Sequence, residues 1–150
     1  MDSDESNSSA PECGPAPKKP AAVVYACSGG SDAGELADRI ARQLTREVAA
    51  QMSCLAGIGG RVKSLLMKAE TAERMLVVDG CPLNCAAHTL REAGFQNFDH
   101  LELHKIGIRK GSCPVTEEKV AAGVHAAKKM LSGVATNHQS STVNFSLCCL

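Results

Sequence analysis

The chain has 150 residues, 44% of them hydrophobic, and its 16 basic and 16 acidic residues cancel. This length indicates one domain that can bury its own core. A neutral balance argues against a dedicated nucleic-acid-binding protein, which carries a basic surplus. No apolar run approaches the roughly 18 residues of a membrane span.

Polar segments flank the predicted domain, which spans residues 21–134. Residues 1–20 are rich in serine, proline and charge, so we expect a disordered N-terminal tail. Residues 135–150 are expected to form a flexible C-terminal tail. The N-terminal segment lacks the apolar stretch of a signal peptide, which predicts a cytoplasmic protein. Disulfides are rare in that reducing compartment, so the eight cysteines need another explanation.

The domain opens with a predicted strand and a predicted helix. Residues 21–27, AAVVYAC, form a short apolar run before a Ser-Gly-Gly turn, which predicts a buried strand. Asp32 and Glu35 make a variant of the capping box and predict a helix start. Apolar residues at four-residue spacing then form the buried face of this helix, namely Leu36, Ile40, Leu44 and Val48.

The middle of the chain contains a glycine-rich segment and a second apolar strand. Residues 53–60, SCLAGIGG, fit either a loop or a short strand. A helix is predicted after them from an apolar face formed by Val62, Leu65, Leu66 and Ala69. Residues 75–80, MLVVDG, are apolar on both faces, which is typical of a parallel sheet. We therefore expect residues 23–27 and 75–79 to be adjacent parallel strands.

The next two predicted elements are a helix and a strand. Pro82 suits the first position of a helix, which makes Cys81 the predicted N-cap and Gly94 the end. Residues 101–107, LELHKIG, alternate more and predict a strand with one wetter face. Leu101 and Leu103 would then lie on its apolar side.

The last predicted helix begins after Thr116 and ends at Gly133, with apolar positions at Val120, Val124 and Leu131. Strands that alternate with helices imply parallel pairing with right-handed crossovers. The sequence therefore predicts a small three-layer, Rossmann-like α/β fold with a mostly parallel sheet.

Five cysteines converge on one edge of this predicted sheet. Cys27 ends the first strand, Cys81 follows the second, and Cys113 lies in the loop after the third. Cys54 begins the glycine-rich segment, and Cys85 lies four residues after Cys81. Ligands of open parallel sheets bind beyond the carboxyl ends of the strands, so this edge is the predicted site.

Zinc is the metal that the cysteine pattern favours. Cys81 and Cys85 lie at a predicted helix start, where the partial positive charge stabilises thiolates. Zinc takes about four soft ligands in a tetrahedron, and Cys27 and Cys54 complete that number. The alternative that Cys27 and Cys54 are packed thiols stays open at this point.

Other residues near this edge allow two interpretations each. Cys113 is an alternative ligand or a loop cysteine, and His88 is a ligand or an ordinary helix residue. Asp79 orients the site or caps the next turn. His100 and His104 are expected at the surface, on or beside the third strand. The Ser-Gly-Gly turn after Cys27 lacks the lysine of a P-loop, so no nucleotide site is expected.

Three segments together resemble the DGC-domain family, which is named for an Asp-Gly-Cys motif. They are ACSGGSDAGELAD at 26–38, SCLAGIGG at 53–60 and VVDGCPLNCA at 77–86. The resemblance covers roughly residues 21–133 and implies that zinc binds to Cys27, Cys54, Cys81 and Cys85. It implies nothing about what the metal does.

These observations favour a zinc-binding protein with a structural or sensory role, because four thiolates leave no open position on zinc. One alternative is a zinc- or thiol-dependent enzyme at the same cluster, although no catalytic constellation beyond the cysteines is evident. A redox pair of Cys81 and Cys85 and an iron–sulfur site are further alternatives. Cys13, Cys148 and Cys149 lie in the tails and are expected to be bystanders.

Overall fold

The structure is a computed structural model that describes residues 22–112 and 114–133. Its strands are β1 (Ala22–Ala26), β2 (Gln51–Met52), β3 (Arg74–Asp79) and β4 (Asp99–Glu102). Its helices are α1 (Asp32–Arg46), α2 (Leu55–Gly59), α3 (Lys63–Glu70), α4 (Cys85–Glu92) and α5 (Glu117–Ser132), with a 3-10 helix at Leu103–Ile106. The predicted tails, residues 1–20 and 135–150, and Cys113 lie outside the described residues.

All four strands run parallel in one sheet, in the order β2-β1-β3-β4. This is the order of the first four strands in flavodoxin-like sheets. The central pair is β1 and β3, whose register runs from Ala22 opposite Arg74 to Ala26 opposite Val78. The expected pairing of these two segments is confirmed. The chain passes from β1 to β2 on one side of β1 and later forms β3 on its other side. The carboxyl ends of β1 and β3 therefore flank the topological switch point, where the strand order reverses.

Two apolar clusters, one on each face of the sheet, give the molecule three layers. Helices α1 and α5 cover one face, where Leu36, Ile40 and Leu44 are fully buried. Helices α2, α3 and α4 cover the other face, where Tyr25 and Leu90 are fully buried. The predicted small α/β fold is therefore confirmed.

The ends of two helices differ from the prediction. Ser31 rather than Asp32 is the N-cap of α1, and its hydroxyl accepts the N–H of Gly34 at 3.2 Å. Val48 lies beyond the end of α1 with a φ of 54°, and it is exposed rather than on the buried face. Val62 is the exposed N-cap of α3 rather than part of its apolar face.

The glycine-rich segment 53–60 forms a short helix, so both predicted alternatives, loop and strand, were wrong. Strand β2 lies just before it, and α2 occupies most of it. Glycine has low helix propensity, so packing must hold α2 in place. Ile58 is fully buried in the core. A Cβ on Gly57 would lie 2.0 Å from the Leu65 side chain, so this side chain would have to move for any larger residue.

Helix α4 begins at Cys85, and Cys81 is therefore not its N-cap. Residues 81–84 form a turn in which the N–H of Asn84 donates to the carbonyl of Cys81 at 3.1 Å. Pro82 takes the second position of that turn, which its fixed φ suits. Asn84 is the N-cap of α4 in a left-handed conformation, with a φ of 49°.

The third predicted strand also shifts along the chain. Strand β4 starts at Asp99 and ends at Glu102, and the 3-10 helix replaces the rest of the predicted segment. Leu101 and Leu103 are both buried as expected. Gly94 follows the end of α4 with a φ of 99°, which confirms the predicted stop.

Arg74 joins three elements at the amino end of the sheet. Its Nε donates to the carboxylate of Asp99 at 2.6 Å. Its terminal nitrogens donate to the carbonyls of Met130, Leu131 and Gly133 at 2.7 to 2.8 Å. Carbonyls at a helix end lack helical partners, so the guanidinium satisfies the end of α5.

We expect Arg74→Lys to lower the free energy of unfolding by about 2 kcal/mol, because an ammonium cannot span the same four acceptors. Urea denaturation measures this change. Arg46→Lys, at the exposed end of α1, is the matched control and should change stability by less than about 0.5 kcal/mol. Equal effects of the two substitutions would contradict the anchoring role of Arg74.

Candidate metal centre

Four cysteines of the described chain lie at the carboxyl edge of the sheet. Cys27 directly follows β1, and Cys81 lies two residues after β3. Cys54 follows β2 and is the N-cap of α2, and Cys85 is the first residue of α4. All four are free thiols. Because β1 and β3 are neighbours, Cys27 and Cys81 lie on the two sides of the switch point.

The thiol of Cys27 is enclosed and hydrogen-bonded. Its Sγ accepts the backbone N–H of Gly80 at 3.0 Å. Burial raises the pKa of Cys27 to about 12, and the Gly80 N–H opposes this increase. Asp79 and the charge of Cys81 contribute to this increase after burial. Without a nearby cation, Cys27 is therefore a neutral thiol near neutral pH.

The other predicted ligands are more open. Cys54 and Cys85 are exposed, whereas Cys27 and Cys81 are half-buried. Across residues 22–112 and 114–133, no three His, Cys, Asp or Glu side chains are grouped closely enough to hold a metal ion. The structure thus places all four cysteines at the same edge of the sheet without closing them around a common point.

Asp79 connects the end of β3 to the start of α4. Its carboxylate is buried and accepts the N–H groups of Ala86 at 2.9 Å and Ala87 at 3.1 Å. His100 Nε2 lies 2.9 Å from the same carboxylate. Burial acts to raise the pKa of Asp79, but the hydrogen bonds from His100, Ala86 and Ala87 outweigh it and lower the pKa. The carboxylate of Asp79 therefore ties the end of β3 to the start of α4, and Cys81 lies in the segment between them.

Gly80 is required by close packing against α1. A Cβ at this position would lie 2.4 Å from the carbonyl oxygen of Ala33. The N–H of Gly80 also donates to Cys27, as described above. The Asp-Gly-Cys motif thus combines three roles: Asp79 anchors α4, Gly80 permits the approach of α1, and Cys81 presents a thiol.

His100 and His104 are not the surface residues that the sequence predicted. Their side chains are 16% and 25% exposed. The carboxylate of Glu102 lies 3.8 Å from His100 Nδ1 and 3.6 Å from His104 Nε2. The register of β4 places His100 opposite Val77, on the face that α4 covers. His88, considered as a ligand, is exposed on α4.

The loop after Cys27 borders an acidic cleft of about 460 Å³. Its lining includes the carboxylates of Asp32, Glu35 and Asp38. Asp38 already binds Arg42 and the Ser28 hydroxyl. Carboxylates repel phosphate groups, so this lining does not favour a phosphate ligand.

The fold and these cysteines define a parallel α/β domain with free thiols at the carboxyl edge of its sheet. The chain belongs to the DGC domain family, whose sequence profile matches residues 23–127. It is 40% identical over 94 residues to the anaerobic and virulence modulator AnvM of Pseudomonas aeruginosa, a match that covers 63% of this chain and 72% of AnvM. No solved structure matches the chain significantly. No helix in the described part of the chain is long and apolar enough to cross a membrane.

We expect Asp79→Asn to lower the free energy of unfolding by about 2 to 3 kcal/mol. The asparagine amide keeps one acceptor oxygen, but its NH₂ group replaces the other. At least one of the groups that contact the Asp79 carboxylate would then lose its acceptor. Asp38→Asn is the matched control, because its partner Arg42 is 58% exposed and their ion pair should contribute less than about 1 kcal/mol. Urea denaturation of both variants tests this expectation, and an unchanged Asp79→Asn stability would contradict it.

Proposed function

We propose that this protein binds one zinc ion through Cys27, Cys54, Cys81 and Cys85 and that the ion has a sensory or structural role. The observation that carries this proposal is the position of the four free thiols. They follow three adjacent parallel strands at one edge of the sheet. Cysteines that served only as core residues would lie along strand interiors and buried helix faces instead.

The chemistry of these donors fits zinc. The Gly80 N–H points at Cys27 Sγ, and such a donor stabilises a thiolate once a cation removes its proton. Cys85 lies in the first turn of α4, where the helix dipole favours negative charge. A bound zinc ion would supply the positive charge that keeps the thiols deprotonated.

The exposure of two ligands favours a sensory role over a purely structural one. Cys27 and Cys81 are held by the central strands and by Asp79, whereas Cys54 and Cys85 are exposed. Within the described residues no three ligand side chains are grouped closely enough for a metal, so closing all four around one ion requires local movement. A conformation that changes with metal binding is what a sensor requires.

The similarity to AnvM supports a regulatory function. That relative is named as a modulator, and its alignment covers 94 residues. We infer that this chain is likewise a modulator and that zinc sets the conformation in which it acts. The proposal places it in the cytoplasm, because a reducing compartment preserves free thiols.

The second candidate is a thiol-dependent redox protein or enzyme at the same cluster. The exposure of Cys85, four residues after the half-buried Cys81, favours it, because a thiol must be accessible to react with a dissolved oxidant. In its simplest reaction, two thiols and one molecule of hydrogen peroxide would give one disulfide and two molecules of water.

Elemental analysis of the full chain, purified without added metal, should find about one zinc ion per chain. Cys27→Ser, Cys81→Ser and Cys85→Ser should each lose most of the zinc, because a serine hydroxyl stays protonated near neutral pH. Cys54→Ser should weaken binding. Cys13→Ser is the control and should retain full zinc.

Three outcomes would contradict this proposal. Zinc that survives removal of both Cys81 and Cys85 would exclude the site. A brown, iron-containing protein would indicate an iron–sulfur cluster. A metal-free protein in which peroxide joins Cys81 to Cys85 would favour the redox candidate. Loss of zinc in Cys113→Ser, with a harmless Cys54→Ser, would instead identify Cys113 as the fourth ligand.

Removal of zinc with a chelator should lower the melting temperature by about 5 °C or more without unfolding the chain. The metal stabilises only the folded state, and a domain of this size keeps its own core. Thermal denaturation followed by circular dichroism measures the change. Cys81→Ser should not respond to the chelator, and a wild-type protein that loses zinc at constant melting temperature would contradict the linkage.

A further inference from the structure

Asn84 lies between Cys81 and Cys85, and its backbone is hydrogen-bonded on both sides. Its N–H donates to the carbonyl of Cys81 at 3.1 Å, and its own carbonyl accepts the N–H of His88 at 2.9 Å. Its φ of 49° is left-handed, a conformation that asparagine adopts more readily than most residues with a Cβ. The path of the chain from Cys81 to Cys85 therefore turns at this residue.

The side chain of Asn84 does not serve the helix that the residue caps. An N-cap side chain usually accepts the N–H of the second or third helical residue, which here are Ala86 and Ala87. The carboxylate of Asp79 accepts both of these N–H groups. Asn84 makes no side-chain capping bond, so its amide is available for another contact.

That contact is with Glu102, at the end of β4. Asn84 Nδ2 donates to Glu102 Oε2 at 3.5 Å, a long hydrogen bond that the charge of the acceptor strengthens. Asn84 Oδ1 is buried and has no hydrogen-bond partner among the described residues, so the bond to Glu102 is what orients the amide. The register of β4 pairs Glu102 with Asp79. The two carboxylates that hold the start of α4 are therefore neighbours in the sheet.

Glu102 is a charged and largely enclosed acceptor, with a side chain that is 14% exposed. The Lys105 ammonium does most to lower the pKa of Glu102, against the opposing effect of burial. The charge of His100 and the amide of Asn84 lower this pKa further. Glu102 is therefore an ionised carboxylate near neutral pH, as a strong acceptor for the Asn84 amide must be.

We propose that Asn84 and Glu102 are positioning residues for the metal site, and that their contact holds the turn between Cys81 and Cys85 in one conformation. This inference rests on the proposed zinc site and adds two residues that are not ligands. Cysteines on an ordered turn bind an ion more tightly than the same cysteines on a turn with several conformations, because binding then requires less ordering. Loss of the contact therefore weakens zinc binding even where the fold is intact.

The first test is a double-mutant cycle on zinc affinity, measured by competition with a chelating dye. Asn84→Gly tolerates the left-handed backbone and removes the amide, whereas Glu102→Ala removes its acceptor. Each should raise the zinc dissociation constant about fivefold, and the double variant should raise it no further, because both changes remove the same contact. Independent effects would multiply to about 25-fold in the double variant and would contradict the inference.

Three further variants separate positioning from general stability. Lys105→Ala removes another partner of Glu102 but not its contact with Asn84, so the zinc dissociation constant should stay within about twofold of the wild-type value. Arg74→Lys lowers stability from the opposite end of the sheet and should likewise leave the affinity unchanged. Glu102→Gln, whose amide oxygen still accepts a hydrogen bond, should restore part of the affinity that Glu102→Ala loses.

The second test concerns the backbone of Asn84. Asn84→Ala adds the strain of a Cβ at positive φ to the loss of the amide, so it should weaken zinc binding more than Asn84→Gly does. Tighter zinc binding in Asn84→Ala than in Asn84→Gly would overturn the inference, because the left-handed turn would then not be the conformation that binds.

The outcomes separate this inference from the proposed zinc site. Zinc binding by the wild type, with unchanged affinity in Asn84→Gly and Glu102→Ala, would overturn the inference alone. Equal weakening in Arg74→Lys and Asn84→Gly would also overturn it, because a general loss of stability would then explain both effects. Absence of zinc binding in the wild type would overturn both proposals.

Discussion

The buried carboxylate of Asp79 is the interaction on which the geometry of the cysteine edge depends. An ionised group in the interior is costly unless hydrogen bonds satisfy it. Here it accepts the N–H groups of Ala86 and Ala87 and the ring nitrogen of His100. Those N–H groups belong to the first turn of α4, where a helix lacks internal partners. The contacts that satisfy the charge therefore also set where α4 begins and where Cys81 lies.

A difference in rigidity across the edge follows from this anchoring. The position of Cys27 depends on the central strand β1 and on the close approach of Gly80 to α1, which a Cβ would prevent. Cys54 instead precedes a five-residue helix that starts beside the two-residue strand β2. Cys27 is thus fixed by the interior of the sheet, whereas Cys54 lies at an exposed helix start beside the edge strand β2.

The sequence predicted those parts of the fold in which periodicity and burial agree, namely the interior strands and the long helices α1 and α5. It missed β2, because a strand of two residues has no period to detect. Pro82 misled the prediction of α4, since proline suits both the first turn of a helix and the second position of a β-turn. The burial of His100 depends on Asp79, 21 residues away, and no local pattern encodes that contact.

The surroundings of the cysteines favour metal binding over disulfide chemistry. Cys27 receives a backbone N–H, and Cys85 lies in the first turn of a helix. Each of these two thiols therefore has its own source of positive electrostatic potential. A disulfide carries no charge and gains little from such donors, whereas a metal-bound thiolate retains negative charge and needs them. These two donors support the proposed metal site, in which a bound cation would keep the thiols deprotonated beside the buried carboxylate of Asp79.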